Sequence, residues 1–263
     1  MELTFPLSTV ETVLLAGVRI AAFLIIAPPF AHRAVPGQVK AMLAGGLGIA
    51  AAPRAAEAAQ AAGLTPGNSI ESGTASFLGE VLLQVLVGLA LGFLVSLIFT
   101  AVQAAGSLID LFGGFSLAQT YDPLSKTNGA QFSRLYQLTA LVLLFASDAY
   151  QVLITGLMHS FDALPLGATI DLGTLAETLT SGVSGMVVAS MQIAGPLVAV
   201  LFLADVGLGL LTRVAPALNA FALGFPLKIL LSLILGASAY LALPHVVASL
   251  TDDSITGLLG LTR

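Results

Sequence analysis

The chain has 263 residues, 57% of them apolar and 9% charged, with a mean hydropathy of +1.00; this excludes a soluble globular protein and predicts an all-α membrane protein. Fourteen acids against nine bases leave a net charge of −5 with no basic run, so neither a nucleic-acid footprint nor a polybasic lipid-binding patch can be built. There is no Cys, and His32, His159 and His245 are scattered, which argues against disulfides, thiolate chemistry and a metal cluster; no cofactor is expected.

The predicted elements, in chain order, are six apolar helices over 10–31, 38–53, 79–109, 133–160, 178–211 and 219–250. Residues 1–18 carry Glu2 and Glu11 and no base, unlike the basic start of a signal peptide, so the first apolar stretch is expected to be retained. That first helix contains Arg19, and the second is short and rich in Ala and Gly. The third fills the 29 uncharged residues between Glu80 and Asp110, and the fifth takes in the 27 between Glu177 and Asp205 and continues past them. At about 1.5 Å per residue each exceeds the roughly 30 Å hydrocarbon core. The fourth is interrupted by Asp148 and the sixth contains Pro244 and His245. Pairs of bases at Arg33 and Lys40, Lys126 and Arg134, and Arg213 and Lys228 alternate with the acidic 162–177 stretch. That suggests six spans with both termini outside.

Small and polar residues recur on single helical faces. In the third helix these are Gln84, Gly88, Gly92, Ser96, Thr100, Gln103, Ser107 and Asp110; in the fifth, Gly182, Gly185, Ala189, Gln192, Pro196 and Ala199; in the sixth, Lys228, Ser232, Gly236 and Ala239. Such stripes let backbones approach closely in lipid. Two readings stand: packing inside one chain, or faces that dock onto other subunits or line a conduit. Pro28-Pro29, Pro196 and Pro226 are expected to kink or end helices, and broken helices at membrane depth suit an assembly better than a simple anchor.

A charge inside an apolar helix costs about 2.5–3.5 kcal/mol on insertion scales, so such residues are candidates for function. Arg19 either pairs within the chain or contacts a partner chain. Asp148 and Asp205 are either ion-coupling carboxylates of a small secondary transporter or groups at helix ends paired with a base. No Gly-x-Ser-x-Gly elbow, phosphate loop or His-Glu-x-x-His pair is present, so an enzyme is not expected.

The stretch MQIAGPLVAVLFLADVGLGLLTRVAPALNAFALGFPLKILLSLILGASAYLALP at 191–244 resembles the FliR family of flagellar export proteins, whose virulence-secretion relatives are called SctT. Three stretches agree in the same order: RIAAFLIIAPPFAHRAVPGQVK at 19–40, LIDLFGGFSLAQTYDPLSK at 108–126, and LTALVLLFASDAYQVLITGLMHSF at 138–161. The most specific feature is Arg213-x-x-Pro216-x-x-Asn219 followed by Phe225-Pro226-x-Lys228. One departure is Ser147-Asp148-Ala149-Tyr150, where family members often carry an Asn-Gly-His type sequence.

The resemblance implies a component of a type III export gate in the bacterial inner membrane, within the flagellar basal body. It also implies a single gate domain over 1–263, with about 1–175 FliP-like and about 176–263 a FliQ-like hairpin. Implied partners are FliP-like and FliQ-like gate subunits, FlhB-like and FlhA-like export proteins, membrane lipid, and unfolded secreted substrates. Within such a gate, helices need not each cross the bilayer once. Phe112, Gly113, Gly114 and Phe115 are expected to plug the pore: the aromatics give bulk and the glycines mobility. The alternative for this segment is a tight interhelical turn with its aromatics packed. Asp122-Pro123 is expected as a turn or helix start. Arg19, Arg213, Pro216, Asn219, Pro226 and Lys228 are expected to contact other gate subunits; a plain basic loop is the alternative for the Arg213 to Lys228 region. The homologous virulence gate is the alternative to a flagellar one.

Overall fold

The computed structural model describes residues 6–32, 35–65, 69–115, 131–215 and 223–236. Asp122, Pro123, Pro216 and Asn219 lie outside the described residues. Every regular element described is helical: α1 Leu7–Ile26, α2 Gly37–Ala61, α3 Ser69–Ser72, α4 Thr74–Phe112, α5 Gln131–Ala146, α6 Ala149–Ala163, α7 Leu172–Val214 and α8 Leu223–Gly236. The protein is an all-α membrane protein. Three of the helices, α1, α4 and α7, are long and apolar enough to cross a bilayer, and α5 with α6 forms a fourth, broken candidate.

The differences from the sequence reading have local causes. The first helix stops at Ile26 rather than 31, because a residue before proline is pushed out of the helical region, and Ala27, before Pro28, is extended at φ −68°, ψ 124°. The second runs on past residue 53 to Ala61. Its continuation, rich in Ala with Arg54 and Glu57, lacks apolarity but has high helix propensity. That helix ends in a Schellman motif: Gly63 N donates to Gln60 O at 3.0 Å and Leu64 N to Ala59 O at 2.9 Å, with Gly63 at φ +73°. Proline does not end α7, which continues through Pro196.

The helix expected over 133–160 is two helices. Asp148 sits between them at φ 56°, ψ 15°, a left-handed conformation that Asp tolerates better than most residues. At the N-terminus of α7 the Asp171 carboxylate accepts from Gly173 N at 3.0 Å, Thr174 N at 3.3 Å and the Thr174 hydroxyl at 2.6 Å. The Thr174 hydroxyl first, then those amides, hold its pKa below the usual carboxylate range. This cap is therefore fully engaged above the ordinary Asp titration and is lost as pH falls through the lowered value.

The helices form two compact units. Among the described residues, the first takes those up to Leu97 and from Asp148 to Gly182; the second takes those from Ile98 to Ser147 and from Val183 onward. Both α4 and α7 contribute to each unit. In the first unit α1 and α2 pack through small residues: a Cβ on Gly48 would lie 2.9 Å from Gly17 Cα, and Ala44, Ala51, Ala55 and Ala59 line the buried face of α2. The predicted stripe of α4 packs on α1 here. A Cβ on Gly88 would fall on the Arg19 carbonyl oxygen and 2.7 Å from Ala22 Cβ, and one on Gly92 would lie 2.9 Å from Phe23 O.

Ser96, still in the first unit, is half-buried, and in the second unit Thr100 and Gln103 of the stripe are exposed. There the contact with α5 is made by the last stripe residues, Ser107 and Asp110, and by Gly106 beside them, whose added Cβ would lie 2.6 Å from Ser133 Cα. On α7 the buried row is Ala189, Ser190, Ile193, Ala194, Leu197 and Leu201, while Gly185, Gln192, Pro196 and Ala199 of the predicted stripe are exposed. The stripe of α8 packs inward, with Ser232 buried and an added Cβ on Gly236 only 2.7 Å from the Phe132 ring.

Gly88→Ala should therefore destabilise the protein by about 1–3 kcal/mol through overpacking. Gly185→Ala, where a Cβ meets nothing within 4 Å, should be neutral or stabilise by about 0.5–1 kcal/mol. Unfolding midpoints of the two variants in detergent check this contrast; equal effects would contradict the packing.

Candidate functional site

Arg19 projects from the middle of α1 into the first unit and is fully buried. Water is replaced by donors' partners on two other elements. Nε donates to Gln84 Oε1 of α4 at 2.8 Å, and Nη1 to the Ser160 carbonyl of α6 at 2.9 Å and, more weakly, to its hydroxyl at 3.4 Å. Nη2 donates to the Leu164 carbonyl at 2.7 Å, just past α6. The guanidinium carbon also lies 4.3 Å from the centroid of the Phe161 ring, a cation–π contact. Ser160 O also accepts from Leu164 N at 2.9 Å, and Leu164 O lies just past the last turn of α6, where carbonyls run out of intrahelical donors, so the planar fork of Arg closes the end of α6 while joining it to α1 and α4. The contact that the sequence reading assigned to a partner chain is met inside this one.

A second buried acid was not singled out in sequence. Glu11 of α1 is fully buried and accepts from Ser69 N at 3.0 Å, from Ile70 N at 3.3 Å and from the Ser69 hydroxyl, tying α3 to α1. In the second unit Asp110 plays a comparable part, accepting from Phe132 N at 3.0 Å and Ser133 N at 2.9 Å. It thereby caps the first turn of α5 from a neighbouring helix, as a side-chain cap would. Its place at the end of a 29-residue uncharged run and of the polar stripe of that helix was the sequence signal.

Phe112, Gly113, Gly114 and Phe115 come together at the end of α4. Gly113 lies against α8, since an added Cβ would be 2.6 Å from Ser232 Oγ. Gly114 takes φ +81°, which favours glycine, and approaches the Phe225 ring. The Phe115 ring meets Phe132 edge-on at 5.3 Å, and Phe132 meets Tyr136 likewise at 6.3 Å. Of the two sequence readings for this segment, its described residues have the geometry of a packed turn.

The remaining candidates lie at the ends of α7 and α8. Arg213 is exposed in the last turn of α7, where a base complements the helix dipole. Pro226 is the fourth residue of α8 as described, Leu223–Gly236, and is exposed. Lys228 Nζ pairs with Asp205 Oδ1 at 2.5 Å, so Lys228 and Asp205 hold α8 to α7. With Asp148 at the helix break, both carboxylates that an ion-coupled transporter would require are accounted for structurally.

Buried polar ties, a packed aromatic turn and long apolar helices define an all-α integral membrane protein. The family described as bacterial export proteins, family 1, matches residues 10–254. The chain is 31% identical to the flagellar biosynthetic protein FliR of Escherichia coli (strain K12), over 92% of this chain and 88% of that protein. It is 30% identical to the FliR of Bacillus subtilis (strain 168), over 94% of each. Similarity extends to the Yop proteins translocation protein T of Yersinia pestis, at 27% over 55% of this chain and 56% of that protein. The chain belongs to the bacterial export protein family.

Replacing Arg19 by Met keeps the volume but takes the Arg19 donors from Gln84 Oε1 and the Leu164 carbonyl, and should cost about 1–3 kcal/mol. Arg19→Lys, which supplies a point charge instead of a fork, should recover only part of that loss. Thermal midpoints, together with protease cleavage near residue 164, check this; a wild-type midpoint for Arg19→Met would contradict the tie.

Proposed function

We propose that the chain is the FliR-type subunit of a flagellar type III export gate in the bacterial inner membrane. There it assembles with FliP-like and FliQ-like subunits and works with FlhB-like and FlhA-like proteins to pass unfolded axial proteins. The observation that carries this reading is the family match over residues 10–254 together with two FliR relatives aligned along nearly the whole chain. The longer and closer similarity to flagellar relatives than to the Yersinia protein favours the flagellar system over a virulence one.

The length of α7 supports assembly with other chains. Its 43 residues correspond to about 65 Å, roughly twice the hydrocarbon core. Large apolar side chains are exposed along all of it, from Leu172 at 64% through Met191 at 62% to Val214 at 83%. One bilayer core covers only about 20 residues of such a helix, so the remaining apolar surface calls for protein neighbours. The exposed Gly185, Gln192, Pro196 and Ala199 face would allow a neighbouring backbone to come close. In this reading the region from about 176, near the start of α7, is the FliQ-like part and the region before it the FliP-like part. Arg213, Pro216, Asn219, Pro226 and Lys228 lie in the region expected at subunit contacts.

The segment with Phe112, Gly113, Gly114 and Phe115 would serve as the movable root of the pore closure. An aromatic edge contact such as Phe115 on Phe132 contributes only about 0.5–1.5 kcal/mol beyond area burial, so passage of a substrate could unseat it. Co-expression of the chain with its FliP-like and FliQ-like partners should yield one co-eluting particle. In that particle Phe112→Ala with Phe115→Ala should raise ion conductance without dissolving it. A chain that elutes alone overturns the gate assignment; an intact particle with unchanged conductance overturns only the closure assignment.

A further inference from the structure

Three polar side chains outside the Arg19 tie meet between α2 and α6. Arg54 of α2 donates through Nε to Asp162 Oδ1 and Oδ2, each at 3.1 Å, and through Nη2 to Oδ2 at 2.5 Å. The same Nη2 lies 2.8 Å from His159 Nδ1, and that nitrogen lies 3.2 Å from Asp162 Oδ2. Arginine can only donate, so the contact with Arg54 needs a lone pair on Nδ1, as in the ring with its proton on Nε2, whereas the contact with Asp162 needs a proton there. All three side chains are about 40% exposed. Glu57, a turn beyond Arg54 on α2, adds a further negative charge acting on Arg54.

We propose that Arg54, His159 and Asp162 form an acid-sensitive clasp between α2 and α6. Protonation of His159 removes the acceptor that Arg54 uses and places a second cation 2.8 Å from its Nη2. The new Nδ1–H then donates to Asp162 Oδ2, three residues along the same helix, and competes with Arg54 for that carboxylate. The proton thus converts an attraction between helices into one within α6. The sign follows: the clasp is closed where the imidazole is neutral and weakens when the ring takes up a proton. Exposed pairs contribute little each, so the expected shift in the open fraction is about two- to fivefold.

The absence of native cysteine allows a clean distance measurement. Spin labels at Ala50→Cys on α2 and Thr155→Cys on α6, both exposed positions, report the separation of the two helices in the full-length chain. Between pH 7.5 and 5.5 the longer-distance population should grow about two- to fivefold. His159→Gln, which can accept but never charge, should stay narrow at both pH values, and His159→Lys should be broad at both. An unchanged distribution in the parent protein, or an acid response in His159→Gln equal to the parent's, overturns the clasp.

Discussion

The first unit depends on a single buried cation. A guanidinium taken out of water loses several kcal/mol of hydration, and Arg19 recovers this only if α1, α4 and the end of α6 stand at the distances that let its fork reach Gln84, Ser160 and Leu164. A strict requirement on three elements at once fixes their register. It also explains why Gly88, one turn beyond Gln84, must be glycine: with the arginine anchored, its own carbonyl lies where a Cβ would go. The apolar packing of Leu15, Ile20, Phe23 and Phe161 then fills the space that the polar tie defines.

Inward and outward faces are made from the same kinds of residue, and this separates what the sequence could and could not reveal. The apolar runs and charge gaps located α1, α4 and α7 to within about six residues at each end. The extension of α2 to Ala61 was hidden because its second half is helical by propensity and not by apolarity. Asp148 stood out as an interruption of the apolar run, but the break into two helices there did not, because a single residue in a left-handed conformation leaves no periodic trace.

The candidate site was legible in part for a similar reason. The Gly88 and Gly92 face of α4 does meet a neighbour within the chain, yet the equivalent row on α7 is exposed and the buried row lies elsewhere. Periodicity identifies a face fit for close approach but not whose backbone approaches it. Arg19 stood out as a lone base in an apolar helix, whereas its acceptors are mostly main-chain carbonyls, which no pattern of side chains can announce. Lys228 and Asp205 were both noticed, but their pairing joins residues more than twenty positions apart.

What the helices leave uncovered is the counterpart of what they bury. The Arg19 tie settles the inner packing of the first unit, while α7 keeps large apolar side chains exposed over more length than a bilayer core can cover. The account therefore turns on what touches that surface in the cell. The direct measurement is photo-crosslinking in native membranes, with a photoreactive residue at the exposed positions Met191 and Leu203 and, as controls, at the buried Ala194 and Leu201. The account predicts adducts with other membrane polypeptides of the export apparatus from the exposed pair and none from the buried pair. Lipid adducts alone at Met191 and Leu203 would contradict it.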